Sequence, residues 1–184
     1  MISYSPAASR SDLLGILQLQ QENLALHLST EEILQQGFVT VEHHLEDLER
    51  MHLAGPSIIA KENNRVIAYV LAMTLQARDH IPILEPMFMM FEHIEFQGKP
   101  LLEIPFIMIG QVCVDRPYRG QGVFEKCYET FRDYFQSRYA FALTEIAVRN
   151  QRSIRAHSRI GFTTLCTYSS PDGETWQIVT WHWN

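Results

Sequence analysis

Apolar residues in this chain change their spacing several times, and each change marks a new element. Ser57 to Lys61 and Arg65 to Met73 are β-favouring runs on either side of Glu62-Asn63-Asn64, which predicts an antiparallel hairpin. Ile109, Val112, Cys113 and Val114 form a further strand, ended at Asp115-Arg116-Pro117 because proline cannot extend a ladder. Beyond it, Phe124, Cys127, Tyr128, Phe131, Tyr134 and Phe135 recur at three- and four-residue steps, with Glu125, Glu129, Arg132 and Asp133 between them. That spacing predicts a helix with one apolar face and a charged back. The join between strand and helix, Tyr118-Arg119-Gly120-Gln121-Gly122-Val123, carries two glycines that let backbone approach a ligand. A helix start offers unpaired N–H groups and the positive end of a dipole, so the join predicts an anion cradle.

The remaining elements follow the same logic. Ile2-Ser3-Tyr4 reads as a short first strand, and Ser11 or Asp12 as the cap of a helix carrying Leu13, Leu17, Leu24 and Leu28. Ser29-Thr30-Glu31-Glu32 predicts a second short helix ended by Gly37, then Phe38 to Val41 a β-favouring stretch, then a helix over Glu42 to Leu53 broken by Gly55-Pro56. Pro82, Pro86 and Pro100 interrupt the stretch from Arg78 to Pro105, where Met87 to Phe91 predicts one short helix among loops. Phe141 to Val148 reads as a strand, Asn150 to Arg159 as a helix halted by Gly161, and Phe162 to Tyr168 with Thr175 to Trp183 as a terminal hairpin. This order predicts an α/β fold: a mixed sheet with helices on both faces.

Composition narrows the class. The 184 residues are 46% hydrophobic and 20% charged, as expected of a single domain over 1–184 with a substantial core. No apolar run approaches the roughly 18–20 residues of a membrane helix, and the N-terminus lacks the basic and apolar blocks of a secretory signal, so no membrane partner and a cytoplasmic location are expected. Cys113, Cys127 and Cys166 are odd in number and lie in regular elements, which predicts reduced, buried thiols. No paired Cys/His spacing points to a metal. Neighbouring His43 and His44 diverge by about 100° on a helix, so a solvated face is expected of them. A net charge of −6 argues against nucleic acid as a partner.

Three pieces together resemble the GNAT superfamily of acyl-CoA-dependent N-acyltransferases. They are the loop Arg119-Gly120-Gln121-Gly122-Val123-Phe124, Asn150 followed by Ser153-Ile154-Arg155-Ala156-His157, and Ile160-Gly161-Phe162. The resemblance covers nearly the whole chain. It implies a GNAT fold in which two neighbouring strands splay apart, with acetyl-CoA (coenzyme A) as cofactor and no metal. It implies that Gln121, Gly122, Val123 and Phe124 present N–H groups to the pyrophosphate and that Arg119 and Gly120 shape the loop. It further implies that the backbone of Val112, Cys113 and Val114 meets the pantetheine arm and that Asn150 and Ser153 lie beside it. An N–H near Val114 would polarise the thioester.

The sequence departs from the family pattern at two positions. Phe124 stands where the family has a small residue, and its ring is expected to pack inward. His157 stands where many members place a tyrosine that protonates the leaving thiolate. An ordinary histidine, with pKa near 6.5, can do the same for a thiol of pKa about 8.5; the alternative is a packing role. Glu145 is the best carboxylate for taking the amine proton, the alternative being a structural hydrogen bond or ion pair. The acceptor is expected to be a small-molecule or amino-acid-like primary amine. Rival readings are a protein N-terminal or lysine acetyltransferase and a non-catalytic acyl-CoA sensor or interaction module. Trp176, Trp181 and Trp183 have two readings, core packing and a homodimer interface, and the first is preferred.

Overall fold

In the computed structural model, which describes residues 1–29, 31–33, 37–79 and 81–183, two strands meet and then part, and the other elements are arranged around that fork. The chain runs through β1 (Ser3–Pro6), α1 (Arg10–Gln21), α2 (Leu45–Ala54), β2 (Ile58–Glu62), β3 (Arg65–Met73) and α3 (Glu85–Phe91). The two-residue strands β4 (Glu95–Phe96) and β5 (Lys99–Pro100) follow. Then come β6 (Phe106–Val114), α4 (Val123–Phe135), β7 (Phe141–Ala147), α5 (Gln151–Arg159), β8 (Thr163–Ser169) and β9 (Thr175–His182). Seven strands form one sheet in the order β1-β2-β3-β6-β7-β9-β8. The β6–β7 pair is parallel and the other pairs are antiparallel.

Alternation along β3 divides the core. Tyr69, Leu71 and Met73 face α1, α2 and α3, together with Phe106, Met108, Phe141, Leu143 and Ile178. Ala68, Val70 and Ala72 face α4, whose Val123, Cys127, Tyr128, Phe131 and Phe135 are at most 1% exposed. Removing the Phe131 ring from such a site costs about 3–5 kcal/mol. The expected helices on both faces are therefore present, and Trp181 packs in the α4 layer, stacked on Phe162 at 5.6 Å between ring centres.

Several local expectations change. Ser9, not Ser11 or Asp12, caps α1: its side chain accepts from Asp12 N–H, and the Asp12 carboxylate accepts from Ser9 N–H at 3.1 Å. The helix ends at Gln21, so Leu24 is not on it; Leu24 forms an isolated bridge with Val39, which is all the strand pairing that Phe38 to Val41 makes among the described residues. The expected second short helix crosses residue 30 and residues 34–36, which lie outside the described residues. Its start is visible, with the Ser29 N–H and hydroxyl both donating to Glu32. His43 is buried at 2% exposure and not on a solvated face; its main chain is held by the Gln20 side chain, while neither ring nitrogen has a hydrogen-bond partner among the described residues. Among the described residues no helix is long and apolar enough to cross a membrane, and no His/Cys/Asp/Glu group is arranged to hold a metal.

Candidate active site

The site begins with one extra residue. Against β3, β6 pairs Gln111 with Leu71 but Ile109 with Ala72, so Gly110 is a β-bulge. The bulge shifts the alternation of β6. Before it, Met108 faces the α1 side and Ile109 the α4 side; after it, Cys113 faces the α1 side and Val112 and Val114 pack on the α4 side. On its other edge β6 pairs with β7 only at Phe106–Met108 against Phe141–Leu143. Thr144 makes the last tie, donating its hydroxyl to the Ile109 carbonyl at 2.8 Å. From there the strands part, and the edge of Gln111 to Val114 that faces β7 has no ladder partner among the described residues. The expected splay is thus built by a glycine bulge and a threonine stop.

The anion cradle lies where β6 ends. Gly120 and Gly122 have φ of 73° and 78°, and Gly122 begins α4 without any capping side chain. The first-turn N–H groups of α4 are those that helix geometry leaves without an intrahelical acceptor. Arg119 pins the loop to the strand, donating from Nε to the Val114 carbonyl at 2.8 Å and from Nη2 to Asn23 Oδ1 at 2.6 Å. Helix α5 faces the same space. Asn150 caps it, accepting from Ser153 N–H at 3.2 Å, and donates to the Phe38 carbonyl at 3.1 Å. Arg152, Arg155 and Arg159, at helical spacing, line a cavity of about 520 Å³ with Arg119 and one carboxylate, Glu125. Two positive-φ glycines, an uncapped helix start and four arginines fit a polyphosphate group well.

Nine of the eleven residues expected beside the cofactor line this cavity: Val112, Cys113, Val114, Arg119, Gly120, Gly122, Phe124, Asn150 and Ser153. Gln121 and Val123 do not. Gln121 folds back to donate to the Pro117 carbonyl, and Val123 is in the core at 1% exposure. Phe124 is only half-buried: it packs on Tyr128 and His157, with ring centres at 4.8 and 5.3 Å, and also walls the cavity. Burial pushes the Cys113 thiol up to about 12, which keeps it inert.

A second cavity, about 90 Å³, contains Glu145. Phe38, Val39, Val112, Asn150 and Ser153 line both cavities, so the two meet at the fork. Met73, Leu84, Met87, Val41 and Trp176 form the far wall, which belongs to the α1–α3 side of the sheet. Burial raises the Glu145 carboxyl to about 7, although a 2.6 Å hydrogen bond from the Tyr168 hydroxyl pulls the other way.

His157 also lines this cavity, but the protein has used both its nitrogens. Nδ1 is 2.8 Å from the Ser153 carbonyl, which can only accept, so Nδ1 carries the proton and Nε2 accepts from the Tyr128 hydroxyl at 2.6 Å. Burial lowers the His157 pKa to about 4, outweighing the backbone hydrogen bond. In this arrangement the neutral imidazole directs its one proton at the Ser153 carbonyl and its free nitrogen at the Tyr128 hydroxyl. Sequence reasoning also missed Tyr168, which reaches Glu145 from β8, and Arg152 and Arg159. The helical spacing of the three α5 arginines was the available signal.

The sheet splits at the fork and carries an anion cradle at its mouth. The chain belongs to the Acetyltransferase (GNAT) family, which it matches over residues 23–162. No curated protein sequence matches it. Among solved structures it is similar to the ribosomal-protein-S18-alanine N-acetyltransferase of Escherichia coli, with a TM-score of 0.60, 14% identity, and 99% of this chain and 94% of that chain covered. The NatC complex bound to Gag peptide and CoA is similar at TM-score 0.66 and 14% identity, with 100% and 99% covered. So is yncA of Salmonella typhimurium with acetyl-CoA, at TM-score 0.62 and 15% identity, with 100% and 95% covered.

Proposed function

We propose that this protein transfers an acetyl group from acetyl-CoA to a primary amine by direct attack in a ternary complex. The observation that carries the reading is the meeting of two unlike cavities at the fork: a large arginine-lined one on the α4–α5 side, and a small one on the other whose lining has a single carboxylate among the described residues. Bound acetyl-CoA would supply the activated acetyl group, whose C–S bond breaks as the N–C bond forms. The first-turn N–H groups of α4 hold the pyrophosphate, with Arg119 fixing the loop. The open edge of Gln111 to Val114 aligns the arm that leads to the fork and offers N–H groups to the thioester oxygen.

Glu145 Oε1 or Oε2 takes the proton that the attacking nitrogen loses. With its pKa at about 7, the carboxyl is about half ionised at neutral pH, the best state for a group that both accepts and returns a proton. The leaving thiolate, of pKa about 8.5, then takes that proton downhill. This route leaves His157 as the buried post that orients Tyr128 and the Ser153 turn. The test is thiol release from acetyl-CoA across a panel of amines, by wild type and Glu145→Gln. Amine-dependent release that the variant loses supports the reading, and release by neither protein with any amine removes it.

A further inference from the structure

Among the described residues, five line both cavities: Phe38, Val39, Val112, Asn150 and Ser153. Of these, Asn150 and Ser153 bring side-chain hydrogen-bond donors to the junction. Asn150 is tied into the fold, its oxygen accepting from Ser153 N–H and its amide donating to the Phe38 carbonyl. The Ser153 hydroxyl is not tied in this way. It lies 3.2 Å from His157 Nδ1, the nitrogen that carries the ring proton because the Ser153 carbonyl, 2.8 Å away, can only accept. Ser153 Oγ therefore accepts in that contact, and its own hydrogen meets no acceptor among the described residues. The ring behind it is fixed. His157 Nε2 accepts from the Tyr128 hydroxyl at 2.6 Å, and Phe124 and Phe162 meet the ring edge-on at 5.3 and 5.1 Å between centres.

We propose, resting on the function proposed above, that Ser153 is a catalytic residue of the transfer, its hydroxyl donating to the thioester sulfur as that atom departs. The acetyl group must cross between the cavities, so the sulfur that releases it lies among the residues common to both. The open N–H groups of Gln111 to Val114 serve the arm and the thioester oxygen, which leaves the sulfur to a side chain. As the N–C bond forms, the C–S bond breaks and its electron pair stays on sulfur. Ser153 hydrogen-bonds to that growing charge and keeps its own proton, since a serine hydroxyl is far too weak an acid to protonate the thiolate of a thiol with pKa about 8.5. The proton that ends on sulfur is still the one that Glu145 took from the amine.

Titration of bound coenzyme A tests this without turnover. With protein in excess and no amine, the ultraviolet absorbance of the thiolate is followed against pH, the desulfo-coenzyme A complex serving as blank. The wild-type complex should hold the thiol about one pH unit below its free value of about 8.5, and Ser153→Ala should return it to about that value. Desulfo-coenzyme A should bind the two proteins equally, because the variant loses only a contact to sulfur. Equal thiol midpoints in the two proteins overturn the inference, while coenzyme A binding in calorimetry keeps the donor reading intact. A variant that loses affinity for desulfo-coenzyme A overturns it as well, since Ser153 would then act through the shape of the site. Failure of coenzyme A to bind the wild type overturns both.

Discussion

The Tyr168 hydroxyl donates to Glu145 Oε2 at 2.6 Å, reaching from β8 over the strand between them to β7. The bond favours the carboxylate, and burial favours the acid, so the two residues together hold the group near neutrality. Tyr168→Phe should leave burial unopposed and move the alkaline-rising limb of the rate–pH profile upward. The rate at pH 7 should fall several-fold and recover at higher pH, whereas a purely structural role for Tyr168 would lower the rate evenly at all pH values. Glu145→Gln should lose about 10²–10⁴ in kcat with little change in acetyl-CoA affinity.

The glycine loop makes a backbone prediction. At Gly122 an added Cβ would meet no protein atom within 4 Å, yet φ is 78°. Gly122→Ala should therefore cost about 1–2 kcal/mol in stability through the left-handed conformation alone. It should weaken acetyl-CoA binding further, as read by calorimetry, because the methyl group stands where phosphate approaches.

The arginine stripe on α5 predicts a charge effect. Among the described residues, Arg155 and Arg159 have no ion-pair partner, and both are exposed on the cavity wall. Replacing both with glutamine should leave the melting temperature near that of wild type. Coenzyme A affinity should fall, and its dependence on salt should become shallower, since screened surface charges are what salt weakens.

His157 should behave as a structural residue. His157→Ala leaves the buried Tyr128 hydroxyl without its partner, at a cost of about 1–3 kcal/mol. Denaturant unfolding should show that loss, and the midpoint of the rate–pH profile should stay where it is. A profile that loses a limb in this variant would restore the acid role.

Stability should depend on pH in a specific way between about 5 and 6. Burial lowers His43 and His157 to about 4 each, so in this window both stay neutral when folded and take up protons on unfolding. Their contribution is present above the ordinary histidine value and is lost as pH falls. Glu145, raised to about 7, is protonated when folded and releases its proton on unfolding. Two protons taken up and one released leave one, a loss of about 1.4 kcal/mol for each pH unit of acidification. Glu145→Gln should double that slope, which urea titrations at pH 5 and 6 would measure.

How much of this could be read from the chain depended on whether the signal was local. The strand, loop and helix from Ile109 to Phe135 carry their own periodicity and turn chemistry, and they fold as that predicts. Ser9 was passed over as a cap because its partner at the third helical position is aspartate, a shorter reciprocal acceptor than the usual glutamate. Leu24 continues the apolar spacing of α1 after the helix has ended, because its contact is with Val39 across the loop. His43 looked solvated on the expectation of a helix from Glu42, but the helix starts at Leu45, and the Gln20 side chain of α1 holds the His43 main chain ahead of it. Tyr168 reaches Glu145 only through the pairing of β7, β9 and β8, a relationship among positions 23 residues apart that no window contains. Gly110 gave the fairest warning, since an isolated glycine inside a strand run marks a bulge.

Three residue pairs, Phe106–Phe141, Ile107–Ala142 and Met108–Leu143, join the two halves of the seven-stranded sheet. Mechanically this is a clasp at one end of a slot, with four strands on one side and three on the other. Any molecule lying along the slot would act as a second clasp. Ligand should then slow amide hydrogen exchange on both banks, from Gln111 to Val114 and from Glu145 to Ala147, more than at the hinge itself.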